Sequence, residues 1–373
     1  MEKREPSLLK KNIDKLLGKA MKNHVFTACS VGFFINNEQG RERDIFNYGF
    51  AEGDNDCFPV NQDTVFDLAS LTKPLVTSLC LLAVMEEKKI GVADTLDKFL
   101  PTVPVDKSKI TILHLLTHSS GLPAHRPYYR ELVKYPDNKR MEILIAWILA
   151  EKLVFDPGMA HLYSDLGFIL LGRIIEKISG DSLDEYWKKK ILQPLPRIGL
   201  EKGLFFPGKQ ESALKVYAGT GVCEWSKKRL SGLVHDDNCR ALGGVAGHAG
   251  LFGNSDALLS FCEMIALQFR GEYNHPSFST EEIKKRLTEK KGFCFFGFDT
   301  PTAGTSSSGH YFSEMTIGHL GFTGTSFWID LQRGIGIVLL TNRVVCGEAT
   351  VPIKNLRPLL HDLIMQFLIK KSG

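Results

Sequence analysis

Strand-like segments lie near both ends of this 373-residue chain and helical ones fill the middle. No other feature of the sequence constrains the fold as strongly. Cys29–Asn36 and Ile45–Phe50 are short apolar runs around the polar turn Asn36-Asn37-Glu38-Gln39-Gly40. Ser326–Asp330 and Gly334–Leu340 flank Leu331-Gln332-Arg333 and read as a hairpin. Between these ends, residues 74–88 are apolar almost all round, the pattern of a buried helix. Residues 140–153 and 166–178 have helical spacing, with Gly172 and Gly180 punctuating the second, and the charged stretch 281–291 reads as a solvated helix. Residues 301–310 read as a loop. Leu9, Ile13, Leu16, Leu17, Ala20 and Met21 make residues 8–22 an amphipathic helix. Leu356, Leu359, Leu360, Leu363, Ile364, Phe367 and Leu368 do the same for the last helix. Strands from both ends imply one sheet built from both termini, with the central helices inserted. The expected division is 1–105 with 301–373 for the sheet domain and 106–300 for a mostly helical domain. Ligand clefts favour such a junction.

Composition removes several classes of function. Hydrophobic residues at 43% and charged residues at 24% are those of a globular protein, not a disordered one. The 46 basic and 42 acidic residues leave a net charge of +4, and no Lys/Arg block with interleaved aromatics appears, so no nucleic-acid partner is expected. No run of 18 apolar residues occurs. Leu75–Met85 is too short to span a bilayer and contains Thr77, Ser78 and Cys80, so no stable membrane span is expected. Charges interrupt the N-terminal apolar residues, unlike the apolar core of a signal peptide. The eight cysteines (29, 57, 80, 223, 239, 262, 294, 346) are scattered without a C-x-x-C pair. They read as reduced thiols of a cytoplasmic protein. The sequence carries no sign of oligomeric state.

Three short stretches carry chemistry. Ser70 and Lys73 stand three apart at the entry to the buried helix. At the first turn this spacing brings a hydroxyl and an amine together, where the amine can take the hydroxyl proton and the helix N-terminus favours developing negative charge. Alone, S-x-x-K also fits a helix cap followed by an exposed lysine. Tyr163-Ser164-Asp165 precedes an apolar helix. A phenol beside an ammonium group can ionise at an accessible pH and act as a general base. Gly318-His319-Leu320-Gly321-Phe322-Thr323-Gly324 leads into a strand whose small neighbours let a substrate backbone lie close.

In this order the three stretches resemble those of the serine β-lactamase and penicillin-binding-protein superfamily, which carries S-x-x-K, then a Tyr- or Ser-led triplet, then K-T-G or H-x-G. The likeness is nearest to the class C-like branch of esterases, D-amino-acid peptidases and β-lactamases. Leu115 to Pro123 (LLTHSSGLP) and Ala241 to Phe252 (ALGGVAGHAGLF) resemble further segments of that branch, so the likeness runs from about residue 25 to about residue 370.

The resemblance implies an α/β (α+β) fold, with an antiparallel sheet flanked by helices and an all-α insertion domain, the β-lactamase/transpeptidase-like arrangement. It also implies acyl transfer to water without a cofactor or a metal. Ser70 is then the nucleophile, Lys73 its partner, and Tyr163 the group that relays the proton and activates water. His319 stands where the superfamily often has Lys. Ser70, Asp165, Gly321 and Phe322 provide substrate and oxyanion contacts, the hole itself being formed by the Ser70 and Phe322 amides. Asp165 stands where many relatives have Asn, and its carboxylate should keep Lys73 charged, which makes Tyr163 the principal base. A neutral His319 attracts a substrate carboxylate less than a lysine does, which leaves small esters and amides open as substrates.

The expected function is that of a serine hydrolase of a small ester or amide. A D,D-carboxypeptidase or β-lactamase is one alternative, and a non-catalytic binding protein on the same fold is another. His114 and His118, spaced i, i+4, could clamp a metal on a helix, but no HExxH glutamate accompanies them. His235, Asp236, Asp237 and His248 read better as shaping a loop at the cleft rim.

Overall fold

The strand groups from the two ends of the chain meet edge to edge in one sheet. The computed structural model describes residues 8–37, 40–52, 57–197, 199–207, 215–223, 225–289, 294–304, 306–347 and 349–372. In chain order the strands are Ala28–Asn37 (β1), Gly40–Glu52 (β2), Cys57–Pro59 (β3), Cys294–Phe295 (β4), Phe298–Asp299 (β5), Thr316–Leu320 (β6), Ser326–Asp330 (β7) and Ile335–Thr341 (β8). Their spatial order is β3-β2-β1-β8-β7-β6-β5-β4, and every pairing is antiparallel. The β1–β8 pair, with Cys29 opposite Thr341 and Ile35 opposite Ile335, joins the two ends of the chain.

Strand periodicity decides which face each side chain meets. Cys29, Val31, Phe33 and Ile35, with Ile335, Ile337 and Leu339, pack under the terminal helices Leu8–Lys22 and Val351–Ser372. Ala28, Phe34, Val338 and Leu340 face the other way, into the main core. Gly32 lets a helix approach closely on that face, where a Cβ would stand 3.1 Å from a Leu259 methyl. Leu259 belongs to the helix Ser255–Arg270, which packs on β1 and β8. This helix and β4–β5 both fall inside the segment 106–300.

The buried helix spans Ala69–Glu86, starting earlier than the apolar pattern of 74–88 suggested. It begins as a 3-10 turn at Ala69–Leu71, widens to π-winding over Lys73–Ser78 and becomes α-helical at Leu79–Glu86. It is long and apolar enough to cross a membrane, but most of it is buried inside this fold. The expected central helices appear as Asp137–Ala150 and Asp165–Ser179. Ser164 caps the second through Gly167, and Gly180, at φ 79°, ends it. The charged helix spans Thr280–Thr288 and buries Ile283 and Leu287, while residues 290 and 291 lie outside the described residues. So do Glu38 and Gln39 of the first expected turn. His319 lies within β6, a strand before the one that its segment was expected to lead into, and is in register with Phe327 of β7.

Candidate active site

The site begins with a constraint on the backbone. Ala69, the residue before Ser70, has φ 49°, a left-handed conformation that costs energy for a residue with a Cβ. Asp67 holds it there, because its Oδ1 accepts the Ala69 N–H at 2.8 Å. The other oxygen of the same carboxylate accepts the His235 N–H at 2.7 Å. Burial pushes the Asp67 pKa up to about 6, against these two amide bonds. The sharp bend leaves the Ser70 side chain in a cleft of about 820 Å³. Its amide lies among the first of the helical run, where no intrahelical acceptor is available.

Lys73 lies beneath the cleft floor with no exposed surface. Its Nζ is 2.7 Å from Asp165 Oδ1, 2.8 Å from Ser70 Oγ and 3.2 Å from the His248 carbonyl. Burial alone would lower its pKa, but Asp165 and Tyr163 outweigh burial and hold it above the ordinary lysine value. Lys73 is therefore an ammonium, with its three hydrogens directed at three oxygens. Burial also opposes charge on Asp165, but Lys73 and His125 hold its pKa well below the usual carboxylate range. The expected effect of an aspartate at this position is thus present in the geometry.

Tyr163 reaches the same point from the far wall. Its ring centroid is 4.8 Å from Lys73 Nζ, and its hydroxyl interacts with Lys73 and Ser70. The expected acidification of this phenol is not found. Burial and the Asp165 charge together outweigh Lys73, and the Tyr163 pKa lies above its ordinary value. Tyr163 is thus a neutral phenol in the resting site.

Two histidines are also neutral. His319, on β6, has its ring centroid 6.0 Å from that of Tyr163, and its Nδ1 is 2.9 Å from the Leu320 carbonyl. A carbonyl only accepts, so Nδ1 carries the hydrogen and Nε2 presents a lone pair. His118 Nδ1 accepts the Ser164 N–H at 3.1 Å, and its ring lies 4.6 Å from Tyr163. Burial, with Lys73 nearby, pulls both histidines down to about 3. His118 lies beyond the helix Ile112–Leu116, at φ 54°, so it does not form a helical i, i+4 pair with His114. The His114 Nδ1 accepts the Thr111 N–H in a capping box.

The turn Gly321–Gly324 forms the opposite rim. Thr323 Oγ1 donates to the Asp67 carbonyl at 2.7 Å and Thr325 Oγ1 to the Leu68 carbonyl at 3.2 Å. These bonds tie the turn to the backbone just before Ser70. Gly321 must be glycine, because a Cβ there would meet Thr325 Oγ1 at 2.0 Å and the Leu68 carbonyl at 2.8 Å. Among the described residues no acceptor takes up the Phe322 amide. Ser70, Tyr163, Asp165, His319, Gly321 and Phe322 thus line one cleft, with Lys73 directly under it.

Sequence reasoning missed His125, Arg343, Lys354 and Arg357 as neighbours of the site. His125 Nδ1 lies 3.5 Å from Asp165 Oδ2, and that contact, against burial, raises its pKa. Asp236 caps Asp237–Ala241 and pairs with His248 at 2.9 Å. Both Asp236 and Asp237 line the cleft, as expected of its rim. Arg343, Lys354 and Arg357 bring positive charge to the cleft from the C-terminal end of the chain. The only sequence signal for Arg357 is a charge set among the apolar positions of the last helix.

The chain is similar to known proteins over most of its length. A family model described as Beta-lactamase matches residues 18–353. The chain is 33% identical over 311 residues to the "Putative D-alanyl-D-alanine carboxypeptidase" of Escherichia coli (strain K12), covering 75% of this chain and 69% of that protein. A solved beta-lactamase/D-alanine carboxypeptidase from Pseudomonas syringae superimposes with a TM-score of 0.72 at 18% identity, covering 96% of this chain and 99% of the other. EstCE1, described as a hydrolase with promiscuous acyltransferase activity, does so with a TM-score of 0.68 at 20% identity, covering 94% and 98%. At these identities the solved structures bear on the fold alone.

Proposed function

The chain belongs to the beta-lactamase family and is a serine hydrolase, and from that premise we propose that it cleaves a small ester or amide through an acyl-enzyme on Ser70. The observation that carries this reading is the convergence of Ser70 Oγ, the Lys73 ammonium and the Tyr163 phenol at the cleft floor.

Ser70 Oγ attacks the acyl carbon. The carbonyl oxygen becomes an oxyanion, received by the Ser70 and Phe322 amides. A charged Lys73 has no lone pair to offer, so the Ser70 proton moves to Tyr163 as Tyr163 gives its own proton to the leaving alcohol or amine. A neutral phenol suits such a relay, because it ends as it began. Lys73 steadies the charge that passes through it. Water then attacks the acyl carbon, loses a proton by way of Tyr163, and Ser70 leaves with its hydrogen restored. The lone pair of His319 Nε2 faces this chemistry without charge, which suits substrates that need no carboxylate.

A second reading, a carboxypeptidase acting on D-alanyl peptides, is favoured by the name of the Escherichia coli relative and by the positive charge of Arg343 and Lys354 along the cleft. A cytoplasmic location is proposed with the first reading, on cysteines that are scattered in the sequence and free where described.

The test is hydrolysis of p-nitrophenyl butyrate, a chromogenic cephalosporin and a D-alanyl-D-alanine peptide by wild type and Ser70→Ala. Ester turnover that vanishes in Ser70→Ala supports the first reading. Faster Ser70-dependent release of D-alanine selects the second. Ester turnover that survives in Ser70→Ala refutes both.

A further inference from the structure

Arg357 is a cation in an unusual place. It extends from the helix Val351–Ser372, is 4% exposed, and lines the catalytic cleft. Among the described residues no carboxylate pairs with it, and its Nε has no hydrogen-bond partner. Burial and the nearby Arg343 pull its pKa below the ordinary guanidinium value, and it remains charged at neutral pH. An uncompensated buried charge is costly, and such groups are kept where their field is used.

Its hydrogen bonds show where that field acts. Arg357 Nη2 donates to the Thr325 carbonyl at 2.7 Å and to the Gly321 carbonyl at 3.0 Å. These carbonyls stand at the two ends of the turn that carries Phe322. The Gly321 carbonyl also accepts the Gly324 N–H at 3.1 Å, and the Gly321 N–H donates to the Thr325 carbonyl at 2.7 Å. The Gly321 C=O and the Phe322 N–H belong to one peptide unit. In a planar trans peptide they point in opposite directions. A guanidinium that holds the oxygen therefore fixes the direction of the hydrogen. It also polarises the unit, so that the N–H becomes a stronger donor.

We propose that Arg357 is the positioning residue of the oxyanion turn: it grips the Gly321 and Thr325 carbonyls from behind and aims a polarised Phe322 N–H at the acyl oxygen. The inference rests on the reading of Ser70 as nucleophile and Phe322 as oxyanion donor. Arg357 acts through the peptide and does not touch the substrate. Its charge favours the state in which the acyl oxygen is negative over the neutral ground state.

The experiment compares wild type, Arg357→Lys and Arg357→Met. It measures p-nitrophenyl butyrate hydrolysis, inhibition by phenylboronic acid (which forms a tetrahedral anionic adduct with a serine), the fraction of active sites titrated by a fluorophosphonate, and the melting temperature. In Arg357→Met, kcat/KM is expected to fall by about one to two orders of magnitude, less than or comparable to loss of a direct oxyanion donor. The inhibition constant of the boronic acid should rise by the same factor, with Arg357→Lys in between. A structural role would lower the active fraction and the melting temperature without this parallel loss. Unchanged kcat/KM in Arg357→Met, or a loss fully explained by fewer active sites, overturns the inference. If Arg357→Met does not fold, Arg357→Gln carries the same comparison, and failure of both to fold assigns Arg357 to the fold and overturns it too. Ser70→Ala is assayed alongside. If it retains activity, the acyl-enzyme reading fails; if Ser70 proves essential while the Arg357 variants stay fully active, only the present inference fails.

Discussion

Asp165 Oδ1 lies 2.7 Å from Lys73 Nζ, in an ion pair whose lysine side is closed to solvent. Asp165 keeps the amine charged, and burial, helped by the Asp165 charge against that of Lys73, keeps the phenol of Tyr163 neutral.

Replacing Asp165 by Asn leaves a buried lysine without its counter-charge. At pH 7 the expected loss of stability is about 3 kcal/mol, typical of breaking a buried pair. In the variant burial is opposed by Tyr163 without Asp165 and is expected to drive the Lys73 pKa below its unfolded value, so the folded state gains as pH rises between those two values. In wild type Lys73 is raised, so its contribution is complete below the unfolded pKa and is lost only as pH rises through the folded one. The gap between the two proteins should therefore narrow from pH 7 to pH 10. Urea unfolding at several pH values checks this, and a gap that stays constant refutes it.

His125 should govern the pH dependence of activity near neutrality. His118 and His319 lie at about 3 and stay neutral there, whereas Asp165 raises the pKa of His125. Protonated His125 draws on the Asp165 charge and leaves the field of Lys73 less compensated, which favours the oxyanion. The expected kcat/KM falls as pH rises through the His125 pKa. The inflection should vanish in His125→Asn and persist in His319→Asn. The stability contribution has the same sign, since a raised histidine stabilises below its unfolded pKa and the benefit is lost as pH rises through the folded one.

Gly321→Ala should damage catalysis and stability together. The new methyl would stand 2.0 Å from Thr325 Oγ1, so the turn must move away from Leu68 and carry the Phe322 amide with it. A loss of about 2–3 kcal/mol is expected, with kcat/KM reduced at least tenfold, a size common for a misplaced oxyanion donor. Thermal melting and ester hydrolysis on one preparation measure both effects. Wild-type activity in this variant would separate the turn from the chemistry.

Asp67→Asn tests the bend before the nucleophile. The folded carboxyl titrates at about 6, above the roughly 3.9 of an unfolded aspartate. Between these values the folded state binds the extra proton, so this group makes wild-type stability fall as pH rises from about 4 to about 6. That slope should disappear in the variant. An asparagine also places a donor against one of the two N–H groups that the carboxylate accepts, so Ala69 or His235 loses its bond. Activity should drop with the slope. An unchanged slope would show that another group is responsible.

Local patterns made much of this structure legible. The helix Leu8–Lys22 and the hairpin of β7 and β8 follow from spacing, because a stripe of period 3.6 or an alternation of period 2 has few ways to be buried. Ser70, Lys73, Tyr163 and His319 were visible as short motifs, since each needs a particular neighbour a few residues away. The π-wound segment Lys73–Ser78 of the buried helix was not, because an apolar run looks the same in either winding. Nor was the packing of the helix Ser255–Arg270 on β1 and β8, because contacts between segments distant in sequence leave no local mark.

The sequence by itself determined which groups are present: one hydroxyl, amine, phenol and imidazole at spacings that suit acyl transfer, and strands at both ends that must share a sheet. The tertiary structure decided their charge states. Asp165 is 92 residues from Lys73 and Arg357 is 36 from Gly321, so neither contact can be read from periodicity. Protonation follows from desolvation and from charges a few ångströms away, and both exist only once the chain has closed around the site.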